Sequence, residues 1–224
     1  MKLKNNVSFE SIIRSFEELY NRSYNELELA ELKLCYDNQL PLDKFARLQA
    51  HWRMQEARRC LELGIDLLQH AKECYSRKHL ETTRQIAIAG LVLPVEQMKR
   101  FNLPALIEIR NGLYKGIDVS VYAKPEFNWL QMREIREGLE RGLDVSVYAK
   151  TYLTASQMHA LRDGLILGFD MKPCVKAKLD VLSIREEIER LMKESNFDSV
   201  RRQKYRNYVD NIYLPLKAKL DLEF

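Results

Sequence analysis

The stretch EIREGLERGLDVSVYAK, residues 134–150, nearly repeats EIRNGLYKGIDVSVYAK, residues 108–124, and the two starts define a 26-residue period. Self-similarity at so short an interval is the signature of an array of small units. The same period runs further along the chain. Gly64, Gly90, Gly116, Gly142 and Gly168 follow it without a gap, and Gly112, Gly138 and Gly164 form a second ladder, so all eight glycines fall in one register. Arginine recurs at Arg58, Arg84, Arg110, Arg136 and Arg162. Aspartate recurs at Asp66, Asp118, Asp144 and Asp170, interrupted only by Val92, and Ser76, Asn102, Asn128 and Thr154 form a ladder of helix-capping types.

Each unit has a physical reading. Asn128 with Gln131, and Thr154 with Gln157, are capping boxes that start a helix. Met132, Ile135, Leu139 and Leu143 then fall on one apolar stripe, as do Met158, Leu161, Leu165 and Phe169 in the next unit. Gly142 and Gly168 end those helices, because the left-handed residue past a helix end costs glycine least. Asp144 and Asp170 cap a shorter helical turn, and KPEF, residues 124–127, breaks the turn at Pro125 and leads into the next cap. A single unit cannot bury its stripe, but stacked copies can.

The pattern predicts an all-α chain, specifically an α-solenoid of five 26-residue helix–turn–short-helix units over residues 44–176. Residues 1–43 and 177–224 would form helical caps. In the first cap, Ile12, Phe16 and Leu19 mark one amphipathic helix, and Ser23 with Glu26 opens a second. That helix ends near Asn38, 26 residues before Gly64, and reads as a decayed unit; Phe45-Ala46 and Trp52 match Tyr122-Ala123 and Trp129 with a one-residue slip. In the second cap, Ser183 with Glu186 opens one helix. Asp198 opens a longer one carrying Tyr205, Val209, Ile212 and Leu216, which Pro215 kinks or ends.

Composition agrees with a helix-rich chain: 30% of its 224 residues are charged, and glycine and proline are few. The net charge of +4 is too small to demand a nucleic-acid partner, and no polybasic tail is present. No apolar run reaches the length of a membrane span, and the first ten residues lack a signal-peptide core. Cys35, Cys60, Cys74 and Cys174 show neither CxxC spacing nor a partner histidine pair, which reads as reduced, packed residues of a cytoplasmic protein.

No catalytic or metal site and no cofactor motif emerges. His51, His70, His79 and His159 are scattered, and there is no P-loop, GxGxxG or nucleophile elbow. The arginine ladder supports two readings. A row of guanidinium groups can track a phosphate backbone. Alternatively each arginine, lying at the edge of the apolar stripe, braces its own unit against a nearby carboxylate, and this structural reading is preferred. Gly112, Gly138 and Gly164 sit inside helices at a cost of about 1 kcal/mol each relative to alanine. Close approach of the short helix or of a neighbouring unit would explain them. Tyr122, Tyr148, Phe127 and Trp129 fall at unit junctions and read as wedges, the tyrosine hydroxyls reaching a backbone carbonyl. Differences between units bear on recognition: the position of Glu140 is Glu62, Ile88, Tyr114 or Ile166 elsewhere, and that of Arg141 is Leu63, Ala89, Lys115 or Leu167. The apolar residues among these suggest either contact with the terminal helices or a docking patch. The segment RQIAIAGLVLPV, residues 84–95, is apolar nearly all round and predicts a cover.

The phrase QMREIREGLERGLDVSVYAKTYLTASQM, residues 131–158, resembles a short helical repeat of uncharacterised proteins in gut-bacterial mobile genetic elements. The resemblance rests on Gln131-Met132, Glu134-Ile135-Arg136, Gly138-Leu139, Gly142-Leu143-Asp144 and Tyr148-Ala149. It implies a tandem-repeat fold and carriage on such an element, whose proteins include inhibitors of host defence of the anti-CRISPR or anti-restriction type. It implies no activity.

The sequence therefore leads to the expectation of a non-enzymatic protein-binding array. A nucleic-acid-binding solenoid using the arginines, with Arg201, Arg202, Lys204 and Arg206, is the alternative, and a self-associating module a third. Candidate binding residues are Arg58, Arg84, Arg110, Arg136, Arg162, Tyr114, Glu140 and Ile166. The expected partner is another protein, no membrane is involved, and the oligomeric state is left open.

Overall fold

A computed structural model describes residues 8–73, 76–195 and 199–208, and among them the chain is all-helical with no strand. No described helix is long and apolar enough to cross a membrane. Two compact units are present, one ending at Met132 and the other beginning at Arg133, so the division falls inside a helix. It follows compactness and is a different quantity from the repeat limits at 43/44 and 176/177.

The first unit contains α1 (Phe9–Tyr20), α2 (Glu26–Asp37), α3 (Leu42–Ala46), α4 (His51–Glu62), α5 (Leu68–Glu73), α6 (Arg77–Ile88), α7 (Val95–Met98) and α8 (Leu103–Tyr114). A 3-10 turn at Val119–Val121 follows, then the start of α9 (Trp129–Glu140). The long helices pack in sequence, α2 on α4, α4 on α6 and α6 on α8, with the short elements in the connections. Leu32, Met54, Leu80, Ile86, Leu106 and Ile109 are fully buried from those helices. The second unit holds the rest of α9, a 3-10 turn at Val145–Val147, α10 (Ala155–Ile166), α11 (Lys172–Lys176), α12 (Val181–Glu194) and α13 (Ser199–Tyr208), with α10 packed on α12.

The helices α4, α6, α8, α9, α10 and α12 begin in one 26-residue register, from His51 to Val181. Their caps explain why. Ser76, Asn102 and Thr154 each accept a hydrogen bond from the third residue of the helix they precede, and Asn128 and Gln131 close a reciprocal box on α9 at 3.0 and 2.8 Å. All five ladder glycines have positive φ, from 67° to 98°. In each case the N–H of the following residue reaches back five positions to a helix carbonyl, as Leu143 does to Gly138 at 3.0 Å. Gln39 takes the same role after α2 with φ 56°, and Leu40 N–H bonds the Cys35 carbonyl at 2.9 Å. The left-handed residue is thus Gln39 rather than Asn38, one position out of register with Gly64.

Several terminal expectations are corrected. Helix α2 is capped by Asn25 and Glu28, not by Ser23 and Glu26. Tyr24 is buried and its hydroxyl donates to the Ala46 carbonyl at 2.9 Å, which holds residues 22–25 outside the helix. The cap of α12 is Asp180, which accepts from the Ser183 N–H at 2.8 Å. Asp180 continues the capping ladder one period past Thr154. On α1 the buried residue is Ile13, while Leu19 is 67% exposed. The cover expected over residues 84–95 is one-sided: Ile86, Ala87 and Leu93 are buried, but Ile88 and Val92 face solvent. Val209, Ile212, Pro215, Leu216, Asp198 and Cys74 lie outside the described residues. The other three cysteines are free and buried, and burial pushes the Cys35 and Cys60 thiols up to about 12.

The in-helix glycines have a local cause. The Tyr122 hydroxyl donates to the Glu108 carbonyl at 3.0 Å, and Tyr148 repeats the bond to Glu134 at 3.1 Å. A Cβ at Gly112 or Gly138 would fall onto that hydroxyl and lie 2.9 Å from a methyl of Val119 or Val145. Where Ile86 and Glu96 replace the glycine and tyrosine, both members of the pair change together.

Candidate functional site

The ladder arginines lie at the eighth position of their helices. Arg58 donates to Glu31 of α2 at 2.9 Å and to Glu62 at 2.7 Å. Arg84 reaches Glu56 of α4 at 2.6 Å, and Arg110 reaches Gln85 of α6 at 3.0 Å. Arg136 bonds Glu140 on its own helix. Arg162 on α10 holds both Glu134 and Glu137 of α9, at 2.7 and 2.6 Å. In four of the five, a guanidinium joins one long helix to the long helix before it.

The second unit gathers these charges into a buried cluster. Arg162, His159 and Asp163 are each less than a tenth exposed. Burial works against the charge on Arg162, yet the Glu134 and Glu137 carboxylates outweigh it and hold the guanidinium above its ordinary value. His159 Nδ1 lies 3.1 Å from both Glu134 Oε2 and Arg162 Nη2. The ring accepts at Nδ1 from the guanidinium when its proton sits on Nε2 alone, and donates to the carboxylate when Nδ1 itself carries a proton. Its Nε2 is 3.4 Å from Asp163 Oδ2. The sequence hid this grouping, because His159 and Glu134 stand far apart in the chain on different helices.

Burial pushes the Asp163 carboxyl above the ordinary aspartate range, and the charges of His159, Arg162 and Arg185 recover only part of that shift. The folded chain therefore binds this proton more tightly than the unfolded chain. Asp163 thus lowers stability progressively as pH rises from its unfolded value through its folded one. Asp163→Asn is expected to gain on the wild type as pH rises above the ordinary aspartate range, about pH 4, read as the difference in urea midpoints. A difference that stays flat or moves the other way would show that burial does not govern this carboxyl.

Among the described residues no group of three or more histidine, cysteine or acidic side chains is placed to hold a metal ion. His70 Nε2 bonds the Leu93 carbonyl at 2.6 Å and His79 Nδ1 pairs with the Ser76 hydroxyl at 2.8 Å, both structural contacts.

Exposed surfaces in both units carry apolar or charged side chains. In the first unit Leu63, Ile88, Val92 and Tyr114 are 61, 47, 55 and 60% exposed. They sit at or just beyond the ends of α4, α6 and α8, which pack consecutively. In the second unit Ile166, at the matching end of α10, is 47% exposed, while Glu140 is engaged by Arg136. That unit also carries a shallow depression of about 360 Å³ lined by Lys150, Lys172, Lys176, Lys178, Tyr152 and Ser146. The sequence signal for it is a ladder of Lys124, Lys150 and Lys176 at the 26-residue period.

Set against family models, curated proteins and solved structures, the chain matches none of them.

Proposed function

We propose that the chain is a non-enzymatic binding protein: an α-solenoid of five 26-residue units that docks onto another protein through the ends of its long helices. The observation that carries this reading is the exposed row of Leu63, Ile88, Val92 and Tyr114. Ile88 and Tyr114 occupy equivalent positions of α6 and α8, and Leu63 and Val92 lie just beyond the ends of α4 and α6. Together they leave apolar surface bare at the helix ends of the first unit, with Tyr114 the hot-spot residue type among them. The partner's matching face is apolar at its centre and polar at its rim. The resemblance to mobile-element repeats directs the search toward host defence factors. The alternative, phosphate binding by Arg58 through Arg162, is disfavoured because those guanidinium groups already serve carboxylate or amide oxygens.

The test is a tagged pull-down from extracts of the source cells, with and without nuclease, run beside Tyr114→Asp and Ile88→Asp. A stoichiometric protein that survives nuclease and is lost from both variants is expected, with unchanged thermal midpoints because both side chains are exposed. Retention of the partner by both variants, or no stoichiometric partner at all, would overturn the reading.

A further inference from the structure

The lysine-lined depression of the second unit concerns different residues from the docking row and does not depend on it. It is formed by the 3-10 turn at Val145–Val147, by α11 and by the loops that follow them. Lys150, Lys172, Lys176 and Lys178 are all exposed, and none has an ion-pair partner among the described residues. By contrast Arg136, Arg162 and Arg190 of the same unit are neutralised by glutamates. Asp144 and Asp170 stand close by in sequence but spend their carboxylates on the backbone N–H groups of Ser146 and Lys172. The Ser146 hydrogen bonds come first in holding the Asp144 carboxyl below its ordinary range, and Lys172 and Lys150 come last. Four lysines without an ion-pair partner among the described residues thus line one depression.

The residue types select the ligand. Lysine is a flexible point charge without the planar fork that arginine offers to carboxylates, so four of them read density of negative charge rather than a fixed acid geometry. Tyr152 lines the same depression and is 64% exposed. A positive channel beside an exposed aromatic ring is the combination that holds single strands, phosphates on the cations and a base on the ring. An acidic protein segment would use the charges but leave the ring without a stacking partner.

We propose that this depression binds the phosphodiester backbone of a single-stranded nucleic acid, with Tyr152 stacking against a base. The test is fluorescence anisotropy of the full chain with labelled oligo-dT and oligo-U at several salt concentrations. Saturable binding is expected, with a log–log salt slope of about −3 for four phosphates neutralised. Tyr152→Ala is expected to weaken it about tenfold, and Lys150→Glu with Lys176→Glu to weaken it by at least as much. The charge-matched pair Lys33→Glu with Lys78→Glu, on the first unit, is expected to leave binding within about twofold of wild type. Preference for oligo-U identifies RNA and preference for oligo-dT identifies DNA, and either supports the proposal. No binding by either strand would overturn it. So would equal losses in both lysine pairs, or a neutral Tyr152→Ala with polyglutamate competing as well as the oligonucleotide, which would assign the patch to an acidic protein. Melting midpoints close to wild type for the exposed-site variants separate lost binding from lost folding.

Discussion

Arg162→Leu is expected to destabilise the protein by about 3–5 kcal/mol, the largest effect of any single substitution considered for this chain. Arg162 is 4% exposed and its guanidinium is the shared counter-charge of Glu134 and Glu137. Removing it leaves Glu134, itself largely covered, with only His159 close by, and a buried carboxylate without compensation costs more than the pair contributed. Glu137 is better placed, since Arg133 and Arg141 also lie within ion-pair range of it. The deficit is expected to shrink in Arg162→Leu with Glu134→Leu, where both charges are gone. Arg190→Leu breaks an exposed pair with Glu187 and Glu194 and should leave the urea midpoint nearly unmoved. Equal effects of the two single substitutions would show that burial of the cluster is not what gives Arg162 its weight.

Gly138→Ala is expected to cost about 1–3 kcal/mol, although alanine is the better helix former by about 1 kcal/mol. The added Cβ would meet the Tyr148 hydroxyl and come within 2.9 Å of a Val145 methyl. The tyrosine must shift and so loses its bond to the Glu134 carbonyl, worth about 1 kcal/mol. In a Tyr148→Phe background the obstructing oxygen is absent and the cost of Gly138→Ala should fall. That amounts to a coupling of about 0.5–3 kcal/mol in a double-mutant cycle followed by urea unfolding. Gly142→Ala is the control. Its Cβ would meet nothing within 4 Å, but its φ is 68°, so its cost comes from the backbone alone and should not respond to Tyr148→Phe. Strict additivity of Gly138→Ala and Tyr148→Phe would rule out the close approach as the reason for the glycine. Gly164→Ala is expected to cost less, because the obstructing group there is the flexible side chain of Met171.

These two sites show unequal legibility. The glycine–tyrosine contact is half visible in the sequence: the ladder shows that a side chain is excluded at Gly138, and Tyr148 suggests a bond to a carbonyl. Ile86 and Glu96 replace both together, but Gly164 keeps the glycine where Cys174 replaces the tyrosine, so the contact itself shows only in the structure. The arginine ladder is visible, but its partners are not. They lie 27 residues before Arg58, 28 before Arg84 and 25 before Arg110. A guanidinium on a long stem can reach several positions of a facing helix, so a strict period does not identify the acceptor. Tyr114 and Ile166 stand out as variable positions, whereas Val92 shows only as a gap in the aspartate ladder. Lys172 and Lys178 carry no such signal, because Ser146 and Tyr152 occupy their places one period earlier.

Where helices begin and end can be read through most of the repeat from the capping ladder and the glycines alone. Those choices depend on hydrogen bonds and dihedral angles within about five residues, which the local chain contains in full. At Asn25 and Asp180 two candidate caps compete within three residues, and the burial of Tyr24 and the helix register of Ser183 settle the matter. Packing in three dimensions settles which carboxylates the arginines hold, which apolar side chains stay bare, and where four lysines meet around Tyr152. Each of those outcomes depends on how one helix faces the next, a relation set by contacts across the chain rather than by any neighbour in sequence.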